Sequence, residues 1–130
     1  MPNLMEMTPE EITDQLRITA IAQQNDAFRL RMVGRGGPLA PEGRVVVTRS
    51  IADMGRDFQT EAILAVSQDK TFTEENDPYG DHCFGAVIVE GRKVWWKIDL
   101  LDLAYEYGSE DAANTAVTRR VLTIMFPEDY

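Results

Sequence analysis

The chain has 130 residues, with 13 basic and 22 acidic side chains, one histidine and one cysteine, for a formal charge of −9. That length fits a single domain spanning 1–130 with one core. The lone Cys83 excludes an intrachain disulfide, and the acidic field opposes tracking of a nucleic-acid backbone. Apolar runs are only a few residues long, far short of a membrane span, and Met1 to Met7 does not resemble a signal peptide. A cytoplasmic protein with no membrane association is the expectation.

Thr8-Pro9-Glu10-Glu11 predicts a helix start, with Thr8 as cap and proline at the first helical position. Ile12, Leu16, Thr19 or Ala20, Gln23, Ala27 and Leu30 then recur at helical spacing, with Ile21, Phe28 and Met32 beside them. Gly34, Gly36, Gly37 and Pro38 end this run. Residues 44–49 read as a strand because Val45, Val46, Val47 and Thr48 are β-branched in succession. A turn from Ser50 to Gly55 leads to a second helix over 57–68, and residues 69–82 are polar and irregular.

Residues 83–89 and 92–99 form a hairpin signature around Glu90-Gly91. A three-residue turn, Val89-Glu90-Gly91, sets Phe84 opposite Trp96 and Ala86 opposite Val94. It gathers Phe84, Ala86, Ile88, Val94, Trp96 and Ile98 on one apolar face, whereas a two-residue turn sets Phe84 and Ile88 opposite lysines. Face consistency favours the three-residue turn. Residues 118–125 read as the last strand. The order predicts an α+β fold: an antiparallel sheet of about four strands, with two helices from the N-terminal half packed against it.

Four stretches, GRVVVTR at 43–49, NDPYGDHCFG at 76–85, VWWKIDLLD at 94–102 and TRRVLTIM at 118–125, resemble a family of small bacterial proteins known as a domain of unknown function. The family is frequent in alphaproteobacteria and often plasmid-encoded. The resemblance implies a bacterial source and plasmid association but carries no activity. This chain departs from the family pattern at Cys83, where an acid is more usual.

His82 is the first candidate for chemistry, lying after Asp77, Tyr79 and Asp81 at the mouth of a strand, with Asp99 and Asp102 as further carboxylates. One imidazole among carboxylates suits acid–base catalysis, with His82, Asp81 and Asp99 as candidates, or a hard metal held by Asp77, Asp81, His82 and Asp102. It equally suits a histidine that fastens a loop. With no second histidine and no CxxC pair, no metal and no cofactor is expected. Cys83 alternates away from His82, which disfavours a Cys–His dyad. Alternation turns one of Arg119 and Arg120 inward, toward a buried carboxylate such as Asp99. The order of the glycines at 34–37, helix before strand, is the reverse of a phosphate cradle.

Two segments, 74–81 and 99–111, hold acids and no base. The second adds Tyr105 and Tyr107, and Trp95 stands between Lys93 and Lys97. Trp95, Asp102, Tyr105, Glu106, Tyr107 and Asp111 are therefore the candidate contacts for a protein partner with a basic surface. The expectation is a small acidic accessory protein that works by protein–protein interaction, within or against a host defence or plasmid-maintenance system. A metal-dependent or acid–base hydrolase centred on His82 and the nearby aspartates, and a purely structural subunit, are the alternatives.

Overall fold

The computed structural model describes residues 6–130. Helix α1 spans Pro9–Arg31, strand β1 Gly43–Val47, the one-turn helix α2 Arg49–Ala52, and helix α3 Arg56–Gln68. Strands β2 (Phe84–Val89), β3 (Arg92–Leu101) and β4 (Arg119–Met125) follow, and a 3-10 turn at Pro127–Asp129 closes the chain. The fold is α+β, with one four-stranded sheet in the order β1-β4-β3-β2.

The sheet is mostly antiparallel, but β1 runs parallel to β4. The full antiparallel arrangement expected from the sequence is corrected at this one edge. The chain leaves β1 on one edge, crosses the sheet through α3 and enters β2 on the other edge. A helical crossover of this kind returns the chain in its original direction, so β1 shares the direction of β2 and β4.

The β2–β3 register is a second correction. Glu90 and Gly91 both have positive φ, 49° and 77°, which makes a two-residue turn of the primed type. Gly85 then pairs with Trp96, Val87 with Val94, and Phe84 with Lys97. Phe84, Ala86 and Ile88 therefore lie on the face opposite Val94, Trp96 and Ile98, and Ile88 is 64% exposed. The inner face has a glycine opposite its tryptophan. A Cβ at residue 85 would collide with the Trp96 indole, so the small residue must sit where the large one packs.

The core lies between this inner face and the two long helices. Val89, Val94, Trp96, Ile98, Leu122 and Ile124 meet Phe28, Ile51, Phe58, Ala62, Val66 and Phe126. The α3 stripe Phe58, Ala62, Val66 follows the expected helical spacing. Helix α1 differs from its expected stripe. Its buried residues are Ile21, Ala22, Asn25, Phe28 and Arg29, while Leu16 in its first half is 66% exposed. Asn25 and Arg29 take core positions because each is bonded there, so α1 carries polar clamps on the face where the apolar pattern predicts packing alone.

Candidate functional site

Helix α1 reaches the loop before β2 through Asp26, a residue the sequence gives no reason to single out. Asp26 Oδ1 stands 2.8 Å from His82 Nδ1 and 2.8 Å from an Arg29 terminal nitrogen. A carboxylate acceptor at that distance fixes a proton on Nδ1. The other ring nitrogen faces Asp77 Oδ2 at 3.7 Å. Asp77 also accepts from the His82 amide at 3.1 Å, and burial pushes its carboxyl above the usual carboxylate range. The imidazole stacks on Phe72 with centroids 3.8 Å apart and planes within 4°. His82 is held in the left-handed region at φ 57°, as this many contacts allow.

Arg29 anchors the same neighbourhood. One of its terminal nitrogens donates to the carbonyl oxygens of Val66 and Asp69 at 2.7 and 2.8 Å, satisfying the C-terminal end of α3. Its guanidinium lies 4.6 Å from the Trp96 ring centroid and 5.3 Å from that of Phe72. Trp96 Nε1 in turn donates to the buried Asp69 Oδ2 at 2.9 Å. Asp26, Arg29, Arg35, Lys70, Phe72 and His82 together line a cavity of about 910 Å³.

The contacts around His82 hold the ring on three sides. Two carboxylates flank the ring edges and Phe72 covers one ring face, while no hydroxyl or thiol bonds to the imidazole among the described residues. A covalent His–Asp mechanism needs such a nucleophile, whereas the acid–base alternative uses water activated by the imidazole. The Cys83 thiol instead accepts from Asn25 at 3.2 Å, and burial and the nearby Asp81 carboxylate push it up to about 12. No group of three or more histidine, cysteine, aspartate or glutamate side chains arranged to hold a metal is found among the described residues.

The other acids proposed for this site make no bond to the imidazole among the described residues. Asp81 accepts from the Cys83 amide at 3.3 Å. Asp99 pairs with Lys97 at 3.1 Å on the sheet face opposite Trp96, away from the Phe72–His82 stack. Asp102 accepts from the Glu106 amide at 3.0 Å and belongs to the 102–118 loop. The inward arginine is Arg120, but its partner is not Asp99. Its Nε donates to Asn25 Oδ1 at 2.7 Å and a terminal nitrogen to Gln24 Oε1 at 2.9 Å. Burial lowers Arg120 to about 10. Asn25 also donates to the Asp81 carbonyl at 2.9 Å, so one α1 residue ties β4 to the approach to β2.

The partner-contact candidates divide between two places. Asp102, Tyr107 and Asp111 line an open depression of about 770 Å³ with Leu103, Glu110 and Val117. The loop around it is internally bonded. The Asp102 amide donates to Tyr107 O at 2.8 Å, the Ser109 amide to Leu100 O at 2.9 Å, and Thr118 Oγ1 to Asp111 O at 3.0 Å. Glu106 is exposed beside it. Tyr105 is held elsewhere, with the Arg44 guanidinium 3.7 Å from its ring centroid. Trp95 is half-buried on the outer sheet face, edge-on to Phe84 and Tyr130 at 5.3 and 6.0 Å. No helix among the described residues is long and apolar enough to cross a membrane.

Comparison with curated proteins and with solved structures finds no match. The family model that matches covers residues 47–129, from the end of β1 to the terminal turn, so α1 with Asp26 and Arg29 lies outside the matched segment. Over that span the chain belongs to the family described as "Protein of unknown function (DUF3768)".

Proposed function

We propose that the protein acts without catalysis, by docking a basic segment of a partner protein in the acidic depression of the 102–118 loop. One observation carries this reading. Asp102, Glu110 and Asp111 border a depression that also exposes Leu103, Tyr107 and Val117, and none of these acids is in an ion pair among the described residues. Unneutralised carboxylates around apolar surface match a lysine or arginine side chain, whose charged head and aliphatic stem need both. Internal bonding of the loop supports the reading further, because a preorganised surface loses little entropy on binding. A partner from a host defence or plasmid-maintenance system fits the plasmid association that the family resemblance implies.

The test is association with a partner recovered from the native host at low ionic strength. Replacing Asp102, Glu106 and Asp111 together by lysine is expected to slow association far more than it alters stability. Rising salt should slow the unmodified protein in the same direction. Association indifferent to both changes removes the acidic depression from the binding event.

A further inference from the structure

We infer that the cavity between the C-terminal ends of α1 and α3 binds a small organic anion, an oxyanion carried on a flat apolar body. Two exposed cations, Arg35 and Lys70, line it from opposite elements. Arg35 follows Gly34, which takes φ 76°. The Arg35 amide donates to Leu30 O at 2.9 Å and the Gly34 amide to Arg31 O at 3.0 Å. These paired bonds end a helix and fix the chain at Arg35. Lys70 is fixed from the α3 side, where Asp69 Oδ1 accepts from both the amide and the hydroxyl of Thr71 at 2.9 and 2.5 Å.

The balance of charge in the cavity sets the ligand's sign. Apart from His82, the lining carries three formal positive charges, Arg29, Arg35 and Lys70, against two negative ones, Asp26 and Asp69. Asp26 is engaged by Arg29 and His82, and Asp69 keeps its charge while accepting from Thr71 and the Trp96 indole. The terminal nitrogens of Arg29 are committed to Asp26 and to the carbonyl oxygens at the end of α3, where its charge offsets the negative end of that helix, while its buried Nε has no partner among the described residues. Arg35 and Lys70 remain, and neither forms an ion pair among the described residues. In a chain of net charge −9, this cavity is thus lined by two cations that form no ion pair among the described residues. An oxyanion in the cavity is attracted by both charges.

Shape sets the rest of the ligand. A volume of about 910 Å³ lies at the upper end of small-molecule sites and far exceeds a bare inorganic anion. Leu30 and the Phe72 ring, held by its stack on His82, supply apolar wall for a planar body.

The experiment titrates the full chain with benzoate and with phenyl phosphate, followed by amide and indole N–H NMR shifts, with benzamidine as a cation of similar shape. Saturable shifts are expected at Arg35, Lys70 and Phe72 and at the Trp96 indole N–H, with benzamidine giving none. Binding of one anion over the other identifies a carboxylate or a phosphate ester as the head group. Arg35→Gln and Lys70→Gln, both exposed, should keep the folding midpoint and each weaken the anion by about tenfold, roughly 1.4 kcal/mol. No saturable shift with either anion, shifts confined to other regions, equal binding of benzamidine, or unchanged affinity in both variants overturns the assignment.

Discussion

Trp96 lies against the α-carbon of Gly85, its register partner across the β2–β3 hairpin, and its indole nitrogen reaches past that glycine to Asp69 Oδ2 at 2.9 Å. A Cβ at residue 85 would overlap the indole and stand 2.5 Å from the Asp69 oxygen. Gly85→Ala is therefore expected to displace a fully buried tryptophan and break its one polar bond. The cost should be about 1–3 kcal/mol of overpacking, with more from a buried carboxylate left short of a donor. Urea denaturation reads it as a lower midpoint, and a midpoint equal to the parent's would contradict this packing.

The hairpin register makes a paired prediction on neighbouring strands. Ile88 is 64% exposed on the outer face, and Val94 is fully buried on the inner one. Ile88→Thr should change stability by no more than about 0.5 kcal/mol, as surface substitutions usually do. Val94→Ala should cost about 2 kcal/mol from lost burial and the cavity left behind. Equilibrium unfolding of the two variants side by side checks this. A large cost for both would restore the three-residue turn, which sets the two side chains on one face.

Asp26 and His82 join α1 to the loop before β2 through a single short contact of 2.8 Å. A double-mutant cycle with Asp26→Asn and His82→Gln should show a coupling of about 0.5–3 kcal/mol, the range for residues sharing one polar network. Additive costs would mean that the contact holds nothing together.

Asp129 gives the fold an acid-side dependence. Its Oδ2 accepts from Ser50 Oγ at 2.6 Å, Thr48 Oγ1 at 2.8 Å and the Phe126 amide at 2.9 Å. These bonds, that from Ser50 foremost, hold the carboxyl below the usual carboxylate range. A depressed acid stabilises the fold above its unfolded pKa of about 3.9, and that share is lost as pH falls through the folded value. The stability gap between the parent and Asp129→Asn should be constant near neutrality and close below about pH 4. Thermal melts across that range measure it, and a gap independent of pH would count against the three bonds.

Cys83 should resist thiol labelling. Burial holds its thiol up to about 12, so almost no thiolate exists at neutral pH. Alkylation in native buffer should run far slower than in denaturant. Similar rates in both would show the thiol open and ionised.

Local chemistry made much of the fold legible. Thr8 caps α1 as the motif predicts, accepting from the Glu11 amide at 3.1 Å, and Pro9 opens a helix that stops before the glycines. The β-branched run gives β1, and the Phe58, Ala62, Val66 stripe gives the buried side of α3. The hairpin turn is where the sequence reading failed. Alternation favoured the three-residue turn because it gathers the apolar residues on one face, and the structure instead divides them between both. The choice rests on Gly85 making room for Trp96 and on Asp69, 27 residues away, receiving its indole.

The candidate site divides along the same line. His82 was legible as the one imidazole in a group of acids, and the 99–111 segment as acids without a base. The acid that holds His82 is Asp26, 56 residues earlier, and the partners of Arg120 are Asn25 and Gln24, more than 90 residues earlier. By itself the sequence determined what depends on neighbours a few positions apart: helix starts and stops, strand runs and the size and charge of the chain. Only the tertiary structure decided the hairpin register, the parallel edge strand, the partners of the buried polar groups and the grouping of Arg35 with Lys70. Each of these depends on contacts between residues far apart in the chain, and their free energy exists only once α1, α3 and the sheet have packed together.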